Sequence, residues 1–172
     1  MRRIAALIIG GLLFVFIIPL GLYFLSDFLN NLVGITNFIP FPINLIIGIT
    51  TAMFGVACSV SANIYLYKHG KGSPIPHKSV QTTELVVVGI YKYSRNPMLF
   101  GYIVFLIGIG IILNSIFFLI ISNLTITLFV LLFLKLKEEK NLIKRYGDPY
   151  LEYKQRTSFI IPWFPKKNKN KK

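Results

Sequence analysis

The sequence predicts an all-α integral membrane protein with four transmembrane helices, the last two forming a tight hairpin. Three observations point there. The chain is 54% hydrophobic with a mean hydropathy of +0.64, too apolar for an ordinary soluble domain. Its apolar residues gather in four runs, Ile4–Leu25, Phe41–Tyr67, Met98–Leu113 and Ile116–Leu134. Its charge is segregated, with all 19 Lys and Arg in Arg2–Arg3, in Lys68–Arg95 or from Lys135 onward.

A bilayer core about 30 Å thick needs roughly 20 helical residues at about 1.5 Å each. The first, second and fourth runs meet this, whereas the third, with 16 residues, spans only about 24 Å. The first run is longer than the apolar core of a cleavable signal and lacks a small-x-small cleavage pattern, so it is read as a retained helix kinked by Pro19. The second carries Gly48, Ala52, Gly55, Ser59 and Ala62 at helical spacing, a small-residue face for close helix packing. Asn114–Ser115 alone joins the third run to the fourth. The fourth continues into polar KLKEEKNLIKRY before Gly147 and Asp148–Pro149, a C-cap and stop signal. A helix over 116–146 would be about 46 Å long and project beyond the bilayer. Ser122, Asn123, Thr125 and Thr127 form a polar cluster in this run, read either as interhelical hydrogen bonding or as pocket lining.

The net charge of +13 is therefore a topology signal and not a nucleic-acid footprint. By the positive-inside rule both termini and Lys68–Arg95 face the cytoplasm, giving a multi-pass protein of the cell membrane. Residues 1–67 form two N-terminal membrane helices, 68–162 the functional region and 163–172 a basic tail. That tail is a headgroup tether or a solvated end, preceded by FIIPWFP, an aromatic-proline stretch suited to the headgroup layer. No metal site is expected. Cys58 is isolated, and His69 and His77 lack a cysteine partner.

Residues 89–101, GIYKYSRNPMLFG, hold the chemistry. Asn96 is a good N-cap and Pro97 a favoured first residue, so the third helix opens at this triplet. Its free N–H groups and positive dipole end face the cytoplasmic interface, where an anionic group is favoured. The overshooting fourth helix brings Glu138 and Glu139 to the same level. The plainer readings make Arg95 a snorkelling anchor and the two glutamates a solvated face, with Lys135 and Glu139 as an i,i+4 pair. TTELVVVGIY, too short to span, lies in the interface or lines the site.

LVVVGIYKYSRNPMLFGY, followed by EEKNLIKRYGDPYLEYKQR and a closing IP, resembles the isoprenylcysteine carboxyl methyltransferase family and its phospholipid-methyltransferase relatives. The family pattern is LV-x-x-G-x-Y-x-x-x-R-(H/N)-P, then E-E-x-x-L-x-x-x-(F/Y)-G-x-x-Y-x-x-Y. The resemblance covers about Gly72–Pro162. It implies a membrane methyltransferase using S-adenosyl-L-methionine in a cytoplasmic-face pocket. Cofactor contacts would come from Thr83, Glu84, Leu85, Val86, Tyr91, Asn96, Pro97, Met98, Leu99 and Glu138. The helix start at Asn96–Pro97 would receive the cofactor carboxylate, and Glu138 its ammonium or another cationic part. Two positions depart from the pattern: Asn96 stands where prenylcysteine enzymes have His, and Leu134 where members carry a basic residue that meets the substrate carboxylate. Lys135 and Arg156 are the nearest replacements.

Methyl transfer from a sulfonium needs positioning and water exclusion more than acid–base chemistry. A carboxylate acceptor arrives ionised and needs a cation, for which Arg95, Lys135 or Arg156 is available. A phospholipid amine arrives protonated and needs a base, for which Glu139 is available. The preferred expectation is carboxyl O-methylation of an isoprenylcysteine-like lipophilic or lipidated substrate, with phospholipid amine N-methylation as the alternative. An NADPH-dependent membrane reductase and a non-enzymatic membrane protein rank below both. Membrane lipids are expected partners, nucleic acid is not.

Overall fold

The computed structural model describes residues 12–34, 38–70 and 82–165. Arg2–Arg3, His77 and the KKNKNKK tail lie outside them. The described chain is helical: α1 (Ile18–Val33) preceded by one wide turn, α2 (Ile43–Gly70), α3 (Pro97–Ile112), α4 (Ile116–Tyr146) and α5 (Asp148–Arg156). Among the described residues no strand forms, only an isolated parallel bridge between Ser94 and Ser158. Two helices, α2 with 28 residues and α4 with 31, are long and apolar enough to cross a membrane. Only 17% and 24% of their apolar windows is buried, so they are not the enclosed core helices of a soluble protein. The third run forms a 16-residue helix, as short as its sequence implies.

The chain divides into two compact units. The first comprises Met1–Gly55 and Ile103–Leu128. Its first helix runs on to Val33, eight residues beyond the expected Leu25, and ends at Gly34 in the left-handed region (φ 73°). Pro19 lies inside a continuously helical stretch, directly after the wide turn over Leu13–Ile17 that gives room to its ring and missing N–H. The α3–α4 turn is built on Asn114, at φ 53°. Its side-chain oxygen accepts the N–H groups of Phe38 and Ile39, each at 3.0 Å, and its amide donates to the Ile39 carbonyl. Ser115 caps α4 by accepting the Phe118 N–H and also accepts from Asn30 Nδ2 at 2.7 Å. In the polar cluster of α4, Ser122 and Thr125 donate to the Leu119 and Ile121 carbonyls of their own helix.

The small face of α2 does pack closely. Gly48, Ala52 and Gly55 are buried, and a Cβ placed on Gly108 of α3 would lie 2.4 Å from the Ala52 backbone nitrogen. Backbone cannot yield as a side chain can, so Gly108→Ala is expected to lower stability by about 1–3 kcal/mol. A fall in the thermal midpoint of the detergent-purified variant checks this.

The second unit comprises Val56–Tyr102 and Phe129–Lys172. Its core is Ala62, Val86 and Tyr91, with Tyr65, Leu66, Ile90 and Met98 packed around them. Gly70, ending α2, accepts the N–H groups of Thr83 and Glu84. The Tyr146 hydroxyl meets Thr82 from the end of α4. Between Val130 and Glu138 α4 loosens into wide turns, with the Glu139 N–H reaching the Leu134 carbonyl five residues back. Val130 and Glu139 are both buried. In ordinary α geometry the step of nine positions from one to the other makes about 2.5 turns, which would put them on opposite faces. The wide turns use more residues per turn and return Glu139 to the buried side.

Gly147 ends α4 at positive φ (61°), and Pro149 then falls in the first turn of α5. The expected stop signal is thus also the start of the next helix. After Arg156 the chain leaves the helix, bends and runs back along 93–96, so the aromatic-proline end has an internal packing role.

Candidate functional site

The second unit holds every predicted site residue. Its centre is Glu139, 7% exposed. Arg95, from the turn before α3, pairs with Oε1, and Lys154 of α5 pairs with Oε2 at 2.6 Å. The Arg95 and Glu139 side chains are 10% and 9% exposed, while Lys154 is 37% exposed. Arg95 also lies over the Phe159 ring, 5.1 Å from its centroid, and within hydrogen-bonding reach of the Tyr150 hydroxyl. Three chain segments therefore meet on one carboxylate. The expected Lys135–Glu139 pair does not form, because the wide turns aim Glu139 inward and leave Lys135 exposed.

The Arg95–Asn96–Pro97 entry to α3 is clamped from the C-terminal side. Arg95 N–H donates to the Ser158 carbonyl at 2.8 Å, and Trp163 N–H donates to the Tyr93 carbonyl at 3.0 Å. The Ser94 hydroxyl donates to the Ile160 carbonyl at 2.7 Å and accepts the Asn96 N–H. Asn96 Nδ2 donates to the Phe159 carbonyl at 2.9 Å. The buried Tyr153 hydroxyl donates to the Tyr91 carbonyl at 2.6 Å, with the Ser94 carbonyl 3.3 Å away. Burial raises the Tyr91, Tyr150 and Tyr153 phenols above their ordinary values, with Arg95 offsetting part of the rise at Tyr150 and Tyr153. All three stay neutral donors.

Asn96 thus contributes a cross-chain amide donor as well as its place ahead of Pro97. In Asn96→Asp that donor becomes an acceptor facing a carbonyl oxygen. The substitution is expected to cost about 1–3 kcal/mol, read as a lower thermal midpoint with Asn96→Ala as the milder comparison.

The remaining predicted residues are placed as follows. Val86, Tyr91 and Pro97 are buried, Leu85, Met98 and Leu99 are half-buried, and Thr83 and Glu84 are exposed. Val86, Tyr91 and Met98 share one apolar cluster. Glu138 is half-buried and has no salt-bridge partner among the described residues. Arg156 pairs with Glu152 at 3.1 Å, one turn away on α5, and does not join Glu139. Leu134, where the family pattern has a basic residue, is half-buried.

The sequence reading did not single out Ser94, Tyr150, Tyr153 and Lys154. Tyr150 and Tyr153 stand in its Y-x-x-Y pattern, but nothing local shows that the second tyrosine turns onto the Tyr91–Ser94 carbonyls. A cleft of about 380 Å³ lies in the first unit, lined by Phe38–Phe41, Asn44 and Ile112–Asn114. It contains none of the predicted cofactor residues.

Residues 43–149, more than half of the chain, match the family model described as phospholipid methyltransferase. Over 74 residues the chain is 38% identical to methanethiol S-methyltransferase 1 of Bradyrhizobium diazoefficiens. That alignment covers 43% of this chain and 25% of the relative, so the chain matches only a quarter of that protein's length.

Proposed function

Since the chain belongs to the phospholipid methyltransferase family, we propose that it is a membrane-embedded, S-adenosylmethionine-dependent methyltransferase acting on a lipophilic acceptor. Four spans, with both termini and the site on the cytoplasmic side, complete the reading. The charge segregation supports that topology. The observation that carries the cofactor assignment is the anchored start of α3 with Glu138 left outside the Arg95–Glu139–Lys154 cluster.

The residues present fit the cofactor's chemistry. Its ammonium calls for a carboxylate, and Glu138 is half-buried without a cationic partner among the described residues. Its carboxylate calls for N–H donors, and Met98 and Leu99 in the first turn of α3 have no acceptor earlier in the helix. Tyr91, Val86 and Met98 supply apolar surface. Bound there, S-adenosylmethionine supplies an electrophilic methyl group on a sulfonium.

The geometry narrows the acceptor. Arg95 is engaged by Glu139, and Arg156 by Glu152. Each Glu139 oxygen already accepts from a cation, so a substrate proton would have to displace one of them. An acceptor that ionises unaided suits such a site best. A carboxylate meets that condition in full and a thiol only through its small thiolate fraction; the lipophilic thiol is placed first because the relative above is named for S-methylation. Carboxyl methylation is the second reading, favoured by the exposed Lys135 one turn before Glu139. Amine methylation would require Glu138 to serve as both cofactor ligand and base.

Methyl-labelled S-adenosylmethionine offered with hexanethiol, S-farnesylcysteine or phosphatidylethanolamine separates these readings. We expect label in a base-stable thioether. A base-labile ester would favour the carboxylate reading. Transfer to none of the three by protein that binds the cofactor would contradict the proposed acceptor class.

A further inference from the structure

We infer that Tyr153 is a positioning residue for the cofactor end of α3, acting through the main-chain carbonyls of Tyr91 and Ser94. The inference rests on the cofactor reading above and adds a residue that this reading does not use.

The chain between Val88 and Pro97 has little regular structure of its own. It makes one tight turn over Gly89–Lys92, entered at Gly89 with φ 59°. A Cβ at Gly89 would lie 2.3 Å from the Tyr65 ring, so that ring fixes the entry to the turn. Beyond Lys92 the Tyr93 and Ser94 N–H groups still reach the Ile90 carbonyl, and further bonds come from the C-terminal segment. Backbone bonds hold Tyr93 to Trp163 and Arg95 to Ser158, and side chains hold Ser94 to Ile160 and Asn96 to Phe159.

Among the described residues, Tyr153 is the side chain whose hydroxyl faces carbonyls at both ends of the Tyr91–Ser94 stretch, 2.6 Å from one and 3.3 Å from the other. Tyr91 belongs to the apolar cluster with Met98, and Ser94 supports the Asn96 N–H. One hydroxyl therefore sets the spacing between the apolar wall of the site and the first N–H groups of α3. The phenol is 9% exposed and packs edge-on against Tyr150, with ring centroids 6.2 Å apart. Its packing survives when the oxygen is removed, so Tyr153→Phe isolates the hydrogen bond.

The test uses the full chain in detergent. S-adenosylmethionine binding is measured by calorimetry, and its KM and kcat are measured with hexanethiol as acceptor. Tyr153→Phe is expected to raise Kd and KM for the cofactor roughly five- to tenfold, the scale of one lost buried hydrogen bond. Its kcat should stay within about twofold, because the acceptor and the reacting atoms are untouched. Ser115→Ala, which removes the α4 cap in the first unit, is the stability control, with a lower thermal midpoint and an unchanged Kd.

A Tyr153→Phe protein with wild-type Kd would overturn the inference and leave the cofactor reading standing. So would a loss of thermal midpoint well beyond that of Ser115→Ala, since the role would then be stability alone. Absence of binding by folded wild-type protein would remove both readings together.

Discussion

Glu139→Ala is expected to lower folding stability by about 3–5 kcal/mol, the usual cost of removing one partner from a buried ion pair. The magnitude comes from what remains behind. Arg95 has only 10% of its side chain exposed, and its Nε is already buried without a hydrogen-bond partner among the described residues. Without Glu139 the guanidinium would hold a positive charge with little water to solvate it. Lys154→Gln removes the other arm, but Lys154 is 37% exposed. Solvent screens that arm, so the loss there is about 1 kcal/mol or less. The ordering, Glu139→Ala far below Lys154→Gln, is read from unfolding monitored by fluorescence of Trp163, the chain's single tryptophan. Equal effects would show that the cluster is solvated, contrary to its burial.

Glu138→Ala is expected to behave in the opposite way. Its side chain is half-buried and outside the ion cluster, so stability should change by no more than about 0.5 kcal/mol. Binding of S-adenosylmethionine should weaken by about 10- to 150-fold, the equivalent of the roughly 1.5–3 kcal/mol of a hydrogen bond to a charged group. Neighbouring glutamates would thus separate cleanly, one holding the fold and the other the cofactor. A stable Glu138→Ala protein with undiminished affinity would reassign the ammonium site, and Glu84 would be the next residue to test.

The sequence carried the helices because apolar runs and punctuation are local signals. Asn114–Ser115 announced the hairpin turn, and the run from Ile116 to Tyr146 announced a helix longer than a bilayer, observed at 31 residues. Which glutamate turns inward was not legible. LLFLKLKE reads as ordinary helix, and the wide turns over Val130–Glu138 decide the facing of Glu139. The C-terminal strap was hidden for a related reason. Residues 157–163, a bent non-helical stretch, show no periodicity, and their partners lie far back in the chain, as with Asn96 and Phe159. At the tip of this strap Trp163 and Phe164 are 70% and 80% exposed.

The sequence puts Arg95, Asn96 and Glu139 at one level, and in the structure Arg95 pairs with Glu139 while Asn96 bonds the Phe159 carbonyl. Their division of labour follows from burial, which composition cannot report. Two groups expected to do chemistry, Arg95 and Glu139, are each other's partners. Lys154 and Tyr153 became visible only once α5, which carries both, had folded against Glu139 and the Tyr91–Ser94 stretch.

Calorimetry of S-adenosylmethionine binding to the purified wild-type protein, with Glu138→Ala titrated alongside, tests the central claim most directly. Saturable binding by the wild type and its loss in a folded Glu138→Ala variant is the predicted result. No binding by a demonstrably folded wild type, or saturable binding of NADPH in its place, would contradict it.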